Sequence, residues 1–212
     1  MEKNNFKEFE LAKNTFIGGW FLPEHVVDGL TSFYEDEKLK GNAGDGQVFD
    51  AITNQITTKK EHKDCEEVGV YPENFNDQRI QNYIQSLTSL ITNYQKKYPH
   101  LIEADIYGLK YAFNIQRYPI NGGYKTWHWE RGSRGKQSSR LLVFMTYLND
   151  VPFGGTEFYY QQLQVQAQKG LTLIWPAEFT HVHRGVVSND TVKTIATGWF
   201  NYIDGEEDNK NL

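Results

Sequence analysis

The sequence of 212 residues predicts a mainly β protein, a jelly roll with supporting helices in its N-terminal part. Three observations predict it. Apolar residues recur every three or four positions in the first half of the chain, and every two positions beyond residue 105. From that point the segments shorten and are punctuated by Gly, Pro, Asn and Asp. Aromatic residues make up 15% of the chain, with 13 Tyr and 13 Phe, a composition that suits pleated, half-buried surfaces.

Taken in order, residues 1–14 are polar and read as a loosely attached lead-in. Thr15–Leu22 reads as a strand, and Pro23-Glu24 as the first turn of a helix. Val26, Val27, Leu30, Phe33 and Tyr34 give that helix one apolar face, and the glycine-rich loop Gly41–Gly46 ends it. The pattern is weak from Gln47 to Val70, and the charged block Lys59–Glu67 reads as a solvated loop or strand pair. His62 beside Cys65 is a poor zinc signal without a second pair of ligands. Asn76 or Asp77 caps a second helix whose stripe is Ile80, Tyr83, Ile84, Leu87, Leu90, Ile91 and Tyr94, and Pro99 ends it. Strands are then expected at Tyr107–Arg117, Tyr124–Glu130, Leu141–Tyr147, Thr156–Tyr160, Leu163–Ala167, Leu171–Trp175, His181–Gly185 and Lys193–Tyr202. The whole reads as a single domain, 1–212, with strand and helical support in 1–105, the β core in 106–203 and a frayed acidic tail in 204–212.

Net charge is −5 and no long basic block occurs, so nucleic acid is not an expected partner. A single cysteine, Cys65, excludes an internal disulfide framework and points to a reducing compartment, hence a cytoplasmic location. The first ten residues hold no apolar run of the secretory kind, and no stretch approaches the length of a membrane span.

The chemistry concentrates between Tyr118 and Lys193. Residues two apart on a strand share a face, so His128 and Glu130 are expected to point together, with Trp127 and Trp129 turned away. One imidazole and one carboxylate need a third ligand to hold a metal tightly. His181 and His183 are both candidates. Two histidines and a carboxylate on one face leave positions open for a co-substrate and O₂, as non-haem Fe(II) oxygenases require. Alternation also sets Lys193, Ile195, Thr197 and Trp199 on one face of the last strand. A lysine at the start of such a face either sits at the rim, snorkelling to water, or lies inside, where it needs an anion and a bound carboxylate supplies one.

These pieces, in this order, resemble the Fe(II)/2-oxoglutarate-dependent dioxygenases, specifically the prolyl-4-hydroxylase-like branch. They are Tyr118, Asn121-Gly122-Gly123, His128-Trp129-Glu130, Tyr147–Val151, Gly154–Phe158, Trp175-Pro176, His183-Arg184-Gly185 and Lys193. The resemblance covers about residues 108–203 and implies a double-stranded β-helix with N-terminal helices packed on its outer sheet. It implies that His128, Glu130 and His183 bind Fe(II), with His181 as the alternative third ligand. It implies that Lys193 grips the distal carboxylate of 2-oxoglutarate, that Tyr118 hydrogen-bonds the same co-substrate and that Thr146 helps to hold it. Arg140 matches a basic residue often found beside the family's pocket. Leu142, Phe144, Leu173, Ile195 and Trp199 are the expected apolar lining. The family usually carries Asp where this chain has Glu130. The implied activity is hydroxylation of an unactivated C–H bond with O₂ and 2-oxoglutarate, ascorbate being an optional reductant. A peptidyl proline is the leading substrate, with Gly41–Lys63 and Arg131–Ser139 as covering lids. A free amino acid or other small metabolite is the alternative, and a cupin-like domain that binds metal or ligand without turnover is another.

Overall fold

The computed structural model describes residues 6–50 and 55–203, so the acidic tail lies outside the described residues. Two long helices lie against one face of a nine-stranded sheet, and a three-stranded sheet closes over the other face. The first helix, α1, runs Glu24–Leu39 and starts directly after Pro23. It ends where Gly41 takes a φ of 81°, a backbone state that glycine enters without a Cβ penalty. The second, α2, runs Gln78–Lys97, and the Asp77 side chain accepts from the Arg79 N–H at its start.

Along its hydrogen-bonded path the large sheet is ordered Lys7–Phe9, Gly18–Phe21, Leu171–Pro176, Arg140–Tyr147, Lys193–Tyr202, Phe113–Tyr118, Glu66–Val70 and Ala43–Asp45. Tyr107–Gly108 pairs off that path. The small sheet is Leu163–Ala167, Val151–Phe158 and His183–Val186. Mainly β, with antiparallel sheets facing each other and helices outside, it is the expected jelly roll.

The central strands are buried on both faces. One face meets α1 and α2 and carries Phe113, Ile115, Leu142, Phe144, Ile174, Ala196 and Phe200. The other faces the small sheet and carries Tyr118, Val143, Met145, Tyr147, Leu171, Leu173, Trp175 and Ile195. Leu142, Phe144 and Thr146, expected in the pocket lining, are thus on the helix side. Double burial leaves no polar alternation to mark which face is inside. Thr146 is fully buried there, with its hydroxyl 2.8 Å from Tyr83 Oη and 2.8 Å from Thr172 Oγ1. These three hydroxyls satisfy one another beneath α2, and Thr146 does not reach the cleft.

Several expected strands are shorter or broken: Thr15–Leu22 is strand only at Gly18–Phe21, and Tyr107–Arg117 divides into Tyr107–Gly108 and Phe113–Tyr118. Of the Tyr124–Glu130 stretch only Tyr124 is strand, as the end of Gly123–Tyr124, followed by an isolated bridge between His128 and His183. His181 lies in the 3-10 turn Phe179–His181, and the strand begins at His183. In the block read as solvated, Lys63 and Cys65 are buried. Burial pushes the Cys65 thiol up to about 12, and Cys65 belongs to no metal-competent group among the described residues.

Candidate metal centre

A cleft of about 1490 Å³ opens between the two sheets. His128 and His183 are brought together by backbone: each N–H donates to the other's carbonyl, at 3.0 and 2.9 Å. The Glu130 and Arg131 N–H groups both donate to the Ala177 carbonyl, which fixes the turn of chain after His128. One ligand atom from each of His128, Glu130 and His183 lies within 4.8 Å of the others.

The side chains are aimed by their outer contacts. His128 Nδ1 is 2.9 Å from the Thr126 carbonyl, and His183 Nδ1 is 2.9 Å from the His181 carbonyl. Those Nδ1 contacts fix each ring and leave its Nε2 facing Glu130, the atom that a metal would take. The distances from Glu130 Oε1 are 3.4 Å to His128 Nε2 and 3.6 Å to His183 Nε2. Glu130 Oε2 accepts from Arg140 Nη1 and Trp199 Nε1, each at 3.1 Å. Arg140 lies over the Trp199 ring at 3.5 Å and also donates to the Glu130 carbonyl at 2.7 Å. It is therefore a wall of the site, joined to the carboxylate.

Burial raises the Glu130 pKa, but the two histidines and Arg140 outweigh it and hold this carboxyl well below its ordinary range. Burial, reinforced by the neighbouring His128, lowers the His183 pKa and keeps that ring neutral near pH 7. Two imidazole nitrogens and one carboxylate oxygen are the donor set of a non-haem Fe(II) facial site, so the residues present fit that ion. The indole Nε1 of Trp175, in the lining of the same cleft, is buried with no hydrogen-bond partner.

His181 is placed elsewhere. Its Nε2 is 3.0 Å from the Thr15 carbonyl and its Nδ1 is 3.0 Å from Thr180 Oγ1, so both nitrogens are engaged. Between the two candidates for the third ligand, the geometry favours His183. Trp127 and Trp129 were expected to turn away from His128 and Glu130, yet both line the cleft. Without a regular strand, no pleat imposes the alternation.

Lys193, Ile195, Thr197 and Trp199 all line the cleft, as their spacing suggested. Lys193 pairs in register with Tyr118 on the neighbouring strand. Its Nζ donates to the Gly155 carbonyl at 3.2 Å and the Val186 carbonyl at 2.9 Å. Burial pulls its pKa down to about 8, with no carboxylate of the protein offsetting that. The slot beside it suits an anion. Gly185 keeps this place open, because a Cβ there would stand 3.2 Å from Lys193 Nζ. Gly155 has a φ of 144°, and a Cβ on it would meet the Val165 carbonyl oxygen at 2.0 Å, so the turn that presents its carbonyl requires glycine.

Sequence reasoning missed the opposite wall of the cleft. Lys63, Glu67 and Gln116 line it, linked by hydrogen bonds to Tyr118. The mixed charges of the 59–67 block hid this. Only the two-residue spacing of Gln116 and Tyr118 on one strand hinted that a polar face turned inward.

Fold and site together define a double-stranded β-helix protein whose interior presents a two-histidine, one-carboxylate group beside a buried lysine. Residues 113–201 match the family model described as 2OG-Fe(II) oxygenase superfamily. That match spans most of the β core, and with the two-histidine, one-carboxylate group it supports a 2-oxoglutarate-dependent non-haem iron dioxygenase. No curated protein sequence matches it. Solved structures of similar fold include a Pseudomonas putida prolyl-4-hydroxylase, with TM-score 0.64, 15% identity and coverage of 88% of this chain and 92% of that one. A second is the viral collagen prolyl hydroxylase of Paramecium Bursaria Chlorella virus-1 in its 2OG complex, with TM-score 0.64, 15% identity and coverage of 89% and 97%. A third is a Trichoplax adhaerens prolyl hydroxylase in complex with a hypoxia inducible factor oxygen degradation domain peptide fragment, with TM-score 0.67, 14% identity and coverage of 89% and 84%. At these identities the likeness is one of fold.

Proposed function

We propose that the protein hydroxylates an unactivated C–H bond of a peptidyl proline, consuming O₂ and 2-oxoglutarate and releasing succinate and CO₂. The observation that carries the chemistry is the convergence of His128, Glu130 and His183 within 4.8 Å, in a cleft that also holds a buried lysine with no carboxylate partner. In this reading the three side chains hold Fe(II), and Lys193 receives the far carboxylate of 2-oxoglutarate. When bound, the iron and its co-substrate supply the oxidising chemistry. The chain's own share is orientation and exclusion of water. The backbone carbonyls of Thr126 and His181 fix the imidazoles, Arg140 and Trp199 fix Glu130, and Ile195, Trp175 and Met145 line the cleft with apolar surface.

The peptidyl substrate is supported by the size of the cleft and by its rims. Gln47, Val48 and Ile56 from one expected lid and Arg131–Gly135 from the other line it. The Trichoplax neighbour holds a peptide, and the other fold neighbours are prolyl hydroxylases.

The test begins without oxygen. Fe(II) and then 2-oxoglutarate are added to the purified protein, and the visible metal-to-ligand charge-transfer band of a chelated keto acid is recorded. The expected result is a band that disappears in His183→Ala and survives in His181→Ala. No band at saturating additions sinks the proposal. Succinate release is then screened with proline-containing peptides against free amino acids. Release with free amino acids alone would refute the peptidyl substrate and leave the chemistry standing.

A further inference from the structure

The polar wall opposite the metal group is one directed chain. Lys63 Nζ donates to Glu67 Oε2 at 2.6 Å, Gln116 Nε2 donates to the same oxygen at 3.1 Å, and Tyr118 Oη donates to Gln116 Oε1 at 2.6 Å. The pair at its head is nearly out of solvent, with side-chain exposures of 6% for Lys63 and 17% for Glu67. Tyr118 at its foot is buried, and Lys193 Nζ stands 5.3 Å from its ring centre.

The directions in this chain are forced. A carboxylate paired with a lysine can only accept, so it takes the amide N–H₂ of Gln116 and turns the amide oxygen toward Tyr118. A phenol has one proton, and that amide oxygen takes it. Lys193 has two acceptors of its own, the Gly155 and Val186 carbonyls, which leaves one of its three N–H groups for an incoming anion.

We propose that Gln116, oriented by Glu67, is a positioning residue that keeps the Tyr118 proton away from the anion slot. The far carboxylate of 2-oxoglutarate is then held by Lys193 and gains no bond from Tyr118 while the Gln116 contact persists. The Lys63–Glu67 pair thereby sets co-substrate affinity from the far end of a three-bond chain. This rests on the reading that the slot takes 2-oxoglutarate.

Equilibrium binding, read without turnover, provides the test. 2-Oxoglutarate is titrated calorimetrically into the anaerobic Fe(II)-loaded protein, and melting curves check that each variant folds. Tyr118→Phe alone is expected to change the affinity by less than about twofold, because the lost hydroxyl was not serving the ligand. Gln116→Leu releases the phenol proton and is expected to tighten binding by about tenfold, a hydrogen bond to a charged group. Combining Tyr118→Phe with Gln116→Leu should abolish that gain, and this non-additivity is the signature. If Gln116→Leu does not fold, Glu67→Gln carries the same test, since an amide at 67 lets the Gln116 amide turn over. A tenfold loss in Tyr118→Phe, or no gain on releasing the proton, overturns the inference. An absence of binding in the wild type would refute the parent reading instead, and the two failures are told apart by that control.

Discussion

At the scale of single residues, Glu130 divides its oxygens. Oε1 faces the two imidazoles, and Oε2 is held by Arg140 and Trp199. The longer side chain, where relatives usually carry Asp, can reach the ligand group while bound at its back. If Glu130 ligates iron, loosening that rear contact should weaken the metal. Trp199→Phe keeps the ring and removes the donor, and an anaerobic Fe(II) titration should show affinity down by about tenfold or more. Unchanged affinity would remove the rear contact from the account. Lys193 gives a pH dependence. It is charged below its pKa of about 8, and gripping a carboxylate requires that charge. Affinity for 2-oxoglutarate should therefore hold below pH 8 and fall about tenfold per unit above it, a trend absent in Lys193→Met. The effect on folding has the opposite sense. An unfolded lysine keeps its proton up to about 10.5, so between 8 and 10.5 the unfolded chain binds more protons. Through Lys193, the stability of the co-substrate-free fold rises with pH across that window.

At the scale of elements, the buried hydroxyl trio of Tyr83, Thr146 and Thr172 joins α2 to the sheet. Thr146→Val leaves buried hydroxyls short of a partner and should cost roughly 1–3 kcal/mol in denaturant unfolding. Affinity for 2-oxoglutarate should not change. A selective loss of that affinity would return Thr146 to the pocket. Thr146 also marks where the sequence stops being legible. Both helices could be read, because each has one wet face and a stop signal, Gly41 or Pro99. The Arg140–Tyr147 strand could be found but not oriented, since Leu142 and Val143 are equally apolar and both faces are buried. The Lys193–Tyr202 strand could be oriented only through the resemblance, because spacing alone left Lys193 either at the rim or inside. The stretch from Lys125 to Glu130 brings His128 and Glu130 together through backbone bonds to His183 and Ala177, partners distant in sequence. The pleat that suggested the pairing is absent, although the convergence it suggested is present.

At the scale of the whole molecule, the candidate ligands come from separate pieces. His128 and Glu130 sit on an irregular stretch, and His183 on the small sheet. An ion held by all three would tie these pieces to one point and would favour only the folded chain. Fe(II) with 2-oxoglutarate, each at a thousandfold excess over its dissociation constant, should add about 4 kcal/mol per independent ligand and raise the melting temperature. A melting temperature indifferent to both would count against the site.

The hydrogen bond from His181 to the Thr15 carbonyl has a practical bearing. His181 in turn offers its own carbonyl to His183 Nδ1, so a contact in the first twenty residues reaches the ring proposed to hold the metal in two steps. The beginning of the chain looks dispensable, and trimming it is the usual first attempt at a better crystal. Cutting past Thr15 would remove the support behind His183, and a protein shortened in this way could fold, crystallise and still misreport its own affinity for iron.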